Sequence, residues 1–344
     1  MVRESSPTHD IMRAVQVLRS GGLVAFPTET VYGLGADAEN GTAIKRIFTT
    51  KGRPTTHPLI IHVGSLDELS TWVEKVPAAA RALAEHFWPG PLSLVLQRSR
   101  RVPLAVTGGL ETVAVRVPAH PVALALLRAF GGAIAAPSAN HFGCVSPTTA
   151  CHVQSDLGDA VDLVLDGGLC NVGVESTIVD ATSEELCILR PGGVAREDLE
   201  HALGRAIPEK QTKASVRVPG SHRSHYAPRA QVILVDPSRL IDEAHRLTSC
   251  GYQVGILLPH DIAPDSVAAR KILQAPESLT DYAQMLYQFL REFDRSGCNR
   301  VIASLPSEEG VGVAIADRLR RAAEPRGTIK TFKLPQTLEE LCKS

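Results

Sequence analysis

The sequence predicts an α/β protein of two domains: a twisted mixed sheet with helices, followed by a smaller Rossmann-like parallel α/β domain. The chain has 344 residues, whereas an ordinary domain holds about 100–200. Before residue 207, short apolar runs alternate irregularly with helical patterns, which favours a mixed sheet. After residue 230, strand and helix patterns alternate regularly, which favours a parallel sheet.

The first domain is expected to span 1–207 and to open with a helix over 10–20. Asp10 is a plausible cap of this helix and Gly21-Gly22 its end. A short buried strand follows over 23–28 and ends at a proline. Further helices are expected over 41–51, 78–88 and 121–130. Further strands are expected over 58–63, 92–97, 112–118, 132–140, 163–168, 176–182 and 186–193.

A linker is expected over 208–229, where the sequence is polar, basic and poor in aliphatic residues. The second domain then spans 230–344. Its strands are expected over 230–236, 252–258 and 300–306, and its helices over 238–249, 280–295 and 312–323.

Composition argues against several classes of protein. The formal net charge of −1 disfavours a strongly basic nucleic-acid-binding surface. There is no apolar run of about 18 residues and no secretory segment, so we expect no membrane span and a cytoplasmic location. Seven cysteines without a Cys-x-x-Cys pair favour free thiols in a reducing compartment. The spacing of His141, Cys144, Cys151 and His152 matches no common zinc module.

The segment 26–37 carries polar residues directly after the first strand. Thr28, Glu29 and Thr30 therefore lie at the carboxyl end of a strand, where α/β sheets bind ligands. The glycines of 33–38 match G-x-G-x-x-A, but the dinucleotide fingerprint needs a long helix and a later acidic residue, and both are lacking. A polar pocket wall is the favoured interpretation, and a glycine-rich turn between two elements is the alternative.

Cations and small polar groups recur at the ends of other predicted elements. Lys51 and Arg53 flank a glycine, which suits a polyphosphate, although a solvated basic turn is the alternative. Arg116 lies in an apolar strand and needs an anion, from a ligand or from a salt bridge. Ser138 lacks a nucleophile elbow, so its hydroxyl is expected to bind rather than attack. Cations, hydroxyls and amides of this kind favour a reaction that depends on positioning the substrates and neutralising their charge, as nucleotidyl transfer does.

Taken together, eight ordered segments resemble the YrdC-type domain family in its long, two-domain form. They are PTETVYGLG (27–35), KGRP and HPL (51–59), WPGPLS (88–93), VRVP (115–118), PSAN and SPT (137–148), GVESTIVD (173–180), LRPG (189–192) and SHYAP (224–228). The second domain resembles the family's C-terminal domain more weakly. The resemblance implies a YrdC-type fold for the first sheet.

The resemblance also implies an activity, the synthesis of L-threonylcarbamoyladenylate. L-Threonine, bicarbonate and ATP would give this product and pyrophosphate, with Mg²⁺ accompanying ATP. The product would serve N6-threonylcarbamoyladenosine formation in tRNA, and other proteins would carry out that transfer. Separately from the resemblance, Arg217, His222, Arg223 and Arg229 of the linker would form a local basic patch suited to a weak contact with tRNA.

Residue roles follow from the same resemblance. Threonine would be bound by Thr30, His62, Arg116, Ala136 and Ser176. ATP would be bound by Lys51, Arg53, His57, Thr112, Ser138, Asn140, Ser146, Arg190 and Tyr226. Lys51 and Arg53 would stabilise charge during catalysis, and Tyr226 would fold back from the linker over the nucleotide. His57 stands where the family usually has asparagine, and Ser93 replaces a usual threonine.

Two rival functions remain open at this point. One is a module that binds double-stranded RNA or tRNA without catalysis, which the near-neutral charge disfavours. The other is a carbamoyltransferase that uses carbamoyl phosphate, as in hydrogenase maturation. The lack of accessory zinc-finger and acylphosphatase segments disfavours that class.

Overall fold

The computed structural model describes residues 7–208, 225–263 and 269–325. Within these ranges the chain forms a nine-stranded mixed sheet and a separate four-stranded parallel sheet, each with its own helices. The predicted fold class is therefore confirmed. Most of the predicted linker, 209–224, lies outside the described residues, and with it the predicted basic residues Arg217, His222 and Arg223.

The large sheet is built from short strands. In chain order they are β1 (Val24–Phe26), β2 (Gly33–Asp37), β3 (Ile60–His62), β4 (Leu92–Gln97), β5 (Thr112–Arg116), β6 (Ile134–Ala135), β7 (Leu163–Val164), β8 (Thr177–Asp180) and β9 (Cys187–Arg190). Their order across the sheet is β7-β1-β2-β6-β3-β5-β4-β8-β9. Strands β3 and β5 are parallel neighbours, with His62 opposite Arg116.

Helices pack against this sheet and close its core. They are α1 (Pro7–Arg19), α2 (Gly41–Lys51), α3 (Leu69–Trp72), α4 (Ala78–Phe87), α5 (Leu104–Thr107), α6 (Pro121–Phe130), α7 (Ala150–Leu157) and α8 (Arg196–Leu203). One apolar cluster joins α2 and α4 to the sheet. A second cluster joins α1 and α6.

Helix α2 places the basic segment that the sequence singled out. Its N-terminus is capped by Asn40, whose side-chain oxygen accepts from the backbone N–H groups of Thr42 and Ala43. Its apolar face is buried, and the helix ends at Gly52, whose φ of 61° is left-handed. Lys51 is therefore the last helical residue, and Arg53 follows directly after the turn.

The small domain is a parallel sheet with three helices. Its strands are β10 (Gln231–Leu234), β11 (Val254–Leu258), β12 (Lys271–Gln274) and β13 (Arg300–Ala303), in the order β10-β13-β11-β12. Its helices are α9 (Leu240–Ser249), α10 (Leu279–Arg295) and α11 (Gly312–Ala323). Among the described residues, no helix of either domain is long and apolar enough to cross a membrane.

The two domains share one apolar cluster. Val31, Val145 and Val174 of the large domain pack in it with residues of α10 and α11, including Leu286 and Leu319. A salt bridge and hydrogen bonds between Arg291 and Asp156, both mostly buried, cross the same boundary at 2.6 and 2.9 Å. The domains are thus packed against each other through a continuous core.

Several elements differ from the sequence-based expectation. No strand was predicted at β2, where a polar pocket wall was the favoured interpretation and a glycine-rich turn the alternative, and β12, α7 and α8 were not predicted either. Cys151 and His152 lie on helix α7 rather than on a strand, and the described residues contain no cluster of His, Cys, Asp and Glu that suits a metal. The strand expected over 132–140 is limited to β6, because the chain leaves the sheet after Ala135 to line a cavity.

Candidate functional site

A buried cavity lies at the edge of the large sheet, where β1, β3, β5, β6 and β9 end and β8 begins. It is lined by Thr28, Thr30, Val31, Gly33, Arg53, Ile60, His62, Arg116, Ala136, Pro137, Ser138, Glu175, Ser176, Arg190, His225 and Tyr226. The lining includes nine of the residues to which the sequence assigned a role. They are Thr30, Arg53, His62, Arg116, Ala136, Ser138, Ser176, Arg190 and Tyr226.

One end of the cavity is organised by Arg116. Its Nη1 donates to Thr30 Oγ1 at 2.9 Å and its Nε donates to the Gly90 carbonyl at 3.1 Å. Its Nη2 lies 2.8 Å from Glu29 Oε1 as an ion pair. The angle of that contact is not that of a hydrogen bond, so both oxygens of Glu29 lack a hydrogen-bond donor among the described residues. A buried guanidinium held in this way is suited to a carboxylate ligand.

His62 faces the same end of the cavity from the neighbouring strand. Burial, together with the charge of Arg116, lowers the pKa of His62 to about 3. The ring is therefore neutral near pH 7. Its Nδ1 has no hydrogen-bond partner among the described residues, which leaves one ring nitrogen available to a ligand.

Buried cations lie at the other end of the cavity: Arg53 and Arg190 are part of its lining, and Lys51 is buried nearby but outside the lining. Lys51 Nζ donates to the backbone carbonyls of Ser138, at 2.6 Å, and of Asn140. Arg53 Nη2 donates to the Pro58 carbonyl at 3.0 Å. Arg190 Nη2 donates to the Ser176 carbonyl at 2.7 Å. This end therefore presents positive charge on a wall of backbone and hydroxyl groups.

Electrostatics favour an anion at this end. Burial lowers the pKa of Lys51 well below its usual range, and the nearby Arg53 lowers it further. Burial also lowers the pKa of Arg53 to about 10, with Arg190 acting in the same direction. Desolvated cations that repel one another are stabilised by a shared anion, and a polyphosphate is such an anion.

The last part of the predicted linker, described from residue 225 onward, closes the cavity. Tyr226 is almost fully buried, and its φ of 61° is in the left-handed region that non-glycine residues rarely adopt. Its ring stacks on Tyr287 of the small domain with centroids 5.8 Å apart. His225 lies beside it, with ring centroids 4.1 Å apart. Tyr226 thus lines the cavity, and its role over the nucleotide stays a prediction.

The remaining candidate residues lie outside the cavity lining. Asn140 donates from Nδ2 to the carbonyls of His141 and Cys144 and so holds the loop beside Lys51. Ser146 donates to Glu175 Oε1 at 2.6 Å. His57 packs edge-on against Phe142, with ring centroids 5.3 Å apart. Thr112 begins β5, four residues and about 13 Å along the strand from Arg116. Roles for these residues in ATP binding stay predictions.

Residues that the sequence analysis left without a role also belong to this region. Glu175 lines the cavity, and Arg318 and Tyr287 of the small domain contact its carboxylate at 2.7 and 2.8 Å. A signal for Arg318 is present in the sequence, since it lies on the apolar face of α11 with Ile315 and Leu319. An arginine at such a position requires a buried partner.

Unsatisfied polar atoms converge on the cavity. Of the buried side-chain nitrogen and oxygen atoms without a hydrogen-bond partner in the described residues, most belong to the cavity or its immediate wall. They are both carboxylate oxygens of Glu29, Arg53 Nε, His62 Nδ1, Arg116 Nη2, His225 Nδ1 and Tyr226 Oη. Glu29 Oε1 and Arg116 Nη2 are partners in an ion pair, but the other five atoms have no such partner in the described residues. Buried polar groups are normally paired, so these five atoms indicate a site whose ligand supplies the partners.

Comparisons with known proteins agree with this geometry. Residues 16–192 match the family model described as "Telomere recombination", which covers Sua5, YciO and YrdC, and residues 194–324 match "Threonylcarbamoyl-AMP synthase, C-terminal domain". The chain is 42% identical over 334 residues to the threonylcarbamoyl-AMP synthase of Pyrococcus abyssi, covering 94% of this chain and 96% of that one. The chain belongs to the threonylcarbamoyl-AMP synthase family.

Two further relatives support the assignment to this family. The threonylcarbamoyl-AMP synthase of Bacillus subtilis is 39% identical, with 94% of this chain and 96% of that one covered. The crystal structure of Pyrococcus abyssi Sua5 in complex with L-threonine superimposes with a TM-score of 0.85 at 41% identity, covering 91% of this chain and 94% of that one. The predicted two-domain family and its enzymatic character are thereby confirmed.

Proposed function

We propose that this protein converts L-threonine, bicarbonate and ATP into L-threonylcarbamoyladenylate and pyrophosphate. The observation that carries the proposal is a single buried cavity with Arg116, paired with a carboxylate, at one end and the desolvated cations Arg53 and Arg190 at the other. The membership of this chain in the threonylcarbamoyl-AMP synthase family, and the L-threonine bound to Pyrococcus abyssi Sua5, support the same reaction.

Threonine is assigned to the end organised by Arg116. The guanidinium of Arg116 binds the amino acid's carboxylate, replacing or sharing its contact with Glu29. Thr30 and Ser176 offer hydroxyls, neutral His62 offers a ring nitrogen, and Ala136 leaves room for the side chain. Because the wall bears both polar and apolar groups, it suits a small amino acid with a hydroxyl and a methyl group.

ATP is assigned to the end that holds the cations. Arg53 and Arg190 line the cavity, and Lys51 reaches its wall through the carbonyls of Ser138 and Asn140. Tyr226 covers the nucleotide from the second domain's side. The described residues provide no free carboxylate cage for Mg²⁺, since Glu175 already accepts three hydrogen bonds. A Mg²⁺ ion that accompanies ATP would therefore be held mainly by the nucleotide's phosphates, where it would supply positive charge in addition to that of Arg53 and Arg190.

The reaction then needs two displacements. The threonine amine, after losing a proton, attacks the carbon of bicarbonate, and loss of water leaves a carbamate. A carbamate oxygen attacks the α-phosphorus of ATP, the bond to the β-phosphate bridge oxygen breaks, and pyrophosphate leaves. Lys51 and Arg53 stabilise the negative charge that develops in this second step.

The product is assigned to N6-threonylcarbamoyladenosine formation in tRNA, with the transfer made by other proteins. A direct test incubates the protein with ATP, Mg²⁺, bicarbonate and L-threonine and measures pyrophosphate release. Release is expected only when threonine and bicarbonate are both present. Release that ignores threonine contradicts the proposal, and release that needs carbamoyl phosphate instead of bicarbonate favours the rival transferase.

A further inference from the structure

The carboxylate of Glu175 lies in the cavity wall, yet most of its partners come from the small domain. Its Oε1 accepts from Ser146 Oγ at 2.6 Å. Its Oε2 accepts from Tyr287 Oη at 2.8 Å and from Arg318 Nε at 2.7 Å. Arg318 is 0% exposed, so this ion pair is shielded from solvent. The second domain therefore supplies the main positive charge that faces Glu175.

Without that charge, Glu175 would oppose the binding of a polyanion. It lines the same cavity as Arg53 and Arg190, the cations assigned to phosphate. Burial by itself would raise the pKa of Glu175, but the charges of Arg318 and Arg190 outweigh it and hold that pKa below its usual value. Glu175 is thus an ionised carboxylate near pH 7, and its repulsion of phosphate is offset chiefly by Arg318.

Arg318 also fixes the residue that closes the cavity. Its guanidinium carbon lies 4.9 Å from the centre of the Tyr226 ring, and its Nη2 donates to the Pro191 carbonyl at 3.1 Å. The ring of Tyr287 stacks on the ring of Tyr226 at an interplanar angle of 25°. Since Tyr226 has a φ of 61°, its conformation depends on such surrounding contacts.

We infer that Arg318 and Tyr287 are positioning residues for ATP, which complete the nucleotide end of the site from the second domain. They do so by neutralising Glu175 and by holding Tyr226 in its closing conformation. Among the hydrogen bonds and ion pairs of the described residues, neither side chain is paired with Arg116 or Thr30 at the threonine end. The inference rests on the proposed function for the identity of the anion.

The test separates the two ends of the cavity. Binding of α,β-methylene-ATP with Mg²⁺, and of L-threonine alone, is measured by isothermal titration calorimetry on the full chain. In Arg318→Met, the Kd for the nucleotide is expected to rise about tenfold or more, because the buried anion Glu175 loses its main positive partner. The Kd for threonine is expected to stay within about twofold.

A rescue variant tests the electrostatic part of the inference. Adding Glu175→Gln to Arg318→Met removes the uncompensated charge and keeps the size of the side chain. The nucleotide Kd is expected to return to within about threefold of the wild-type value. A purely structural role for Arg318 predicts no such recovery, and that result overturns the inference.

Two further variants complete the design. Arg320→Met removes an exposed arginine of the same helix, which pairs with Glu308 at the surface, and is expected to leave both Kd values unchanged. Tyr287→Phe keeps the stacked ring but removes the hydroxyl, and is expected to raise the nucleotide Kd about threefold. If Arg318→Met does not fold, Tyr287→Phe and the double variant decide the matter.

Failure of this inference can be distinguished from failure of the proposed function. A nucleotide Kd that does not change, or an equal loss of both ligands, overturns the inference even if wild-type protein makes pyrophosphate. If wild-type protein shows no threonine-dependent pyrophosphate release but its nucleotide binding still depends on Arg318, the function fails and the inference stands.

Discussion

Arg116 is held from three directions at the threonine end of the cavity. Its guanidinium contacts Thr30, Gly90 and Glu29 at 2.9, 3.1 and 2.8 Å. A lysine has neither the planar fork nor the reach to replace these contacts. Arg116→Lys is therefore expected to lower kcat/KM for threonine about 100-fold, measured by pyrophosphate release at saturating ATP.

A surface variant provides the control for Arg116→Lys. Arg46 forms an exposed salt bridge with Asp162, and Arg46→Lys is expected to leave kcat/KM within about twofold of wild type. If Arg116→Lys retains wild-type kinetics for threonine, the assignment of this end of the cavity is wrong.

Buried histidines make stability depend on pH. Burial lowers the pKa of His62 to about 3 and that of His152 to about 4. In the unfolded chain both titrate near 6.5, so below that pH the unfolded state binds more protons and stability falls. Between pH 7.5 and pH 5, each histidine is expected to remove about 2 kcal/mol of the free energy of unfolding.

Urea unfolding at these two pH values measures the effect. His152→Gln cannot be protonated, so its stability is expected to fall less between pH 7.5 and pH 5 than that of wild type. Glu175 stabilises the folded state in a different pH range. Because its pKa is lowered in the folded state, its stabilising contribution is present near pH 7 and is lost only as the pH falls below the usual range for a carboxylate. An identical pH dependence in His152→Gln and wild type would show that this histidine is not buried in its neutral form.

The sequence predicts the site residues that lie next to a strand or helix end. Arg116 stands out in the sequence because it lies in an apolar strand. Lys51 and Arg53 stand out because they flank the glycine that ends a helix. Glu175 was not assigned a role, because its partners Tyr287 and Arg318 are more than 100 positions later in the chain. An ion pair between residues so far apart in the chain cannot be seen in the sequence. What the sequence does show is an arginine on the apolar face of a helix.

At the scale of single elements, α2 depends on its terminal glycine. Gly52 has a φ of 61°, and a Cβ placed there meets no atom within 4 Å, so alanine would suffer backbone strain but no clash. Gly52→Ala is expected to lower the free energy of unfolding by about 1 kcal/mol and to reduce ATP affinity, because Arg53 follows directly. Calorimetry for stability and ATP titration check both effects.

Gly41 in the same helix is the matched control. A Cβ at Gly41 also meets no atom within 4 Å, but its φ is not in the left-handed region. Gly41→Ala is expected to be neutral or to stabilise by about 0.5 kcal/mol. If the two alanine variants behave alike, the turn after α2 does not depend on the left-handed conformation.

Strand β2 shows why a glycine-rich segment was not predicted to be a strand. A Cβ at Gly35 would lie 2.8 Å from both Phe26 Cε1 and Ile134 Cγ2, so the strand passes too close to its neighbours for a side chain. The glycines serve close packing rather than chain reversal. The sequence alone does not distinguish close packing from chain reversal, because both favour glycine. The contact that distinguishes them is with Ile134 of β6, which is distant in the chain.

For the whole molecule, the shared apolar cluster predicts joint unfolding of the two domains. Leu286 of α10 is fully buried in that cluster beside Val174 of the large domain. Leu286→Ala is expected to lower the free energy of unfolding by about 3 kcal/mol. Both tryptophans, Trp72 and Trp88, lie in the large domain, so their fluorescence reports on that domain alone.

Two probes test this expectation in the same urea titration. Tryptophan fluorescence and far-ultraviolet circular dichroism are expected to give the same midpoint in wild type and the same shift in Leu286→Ala. A fluorescence midpoint that stays in place while the dichroism shifts would mean that the domains unfold independently.

The pairing of β3 with β5 has a consequence for how this family can vary. His62 and Arg116 are direct neighbours in that register, and Ile61 lies opposite Val115. Inserting or deleting one residue in either strand would turn every side chain to the opposite face. An arginine would then enter the apolar core while a valine or isoleucine replaced the substrate contact. Changes of length during evolution are therefore expected in the connecting loops and not within these two strands.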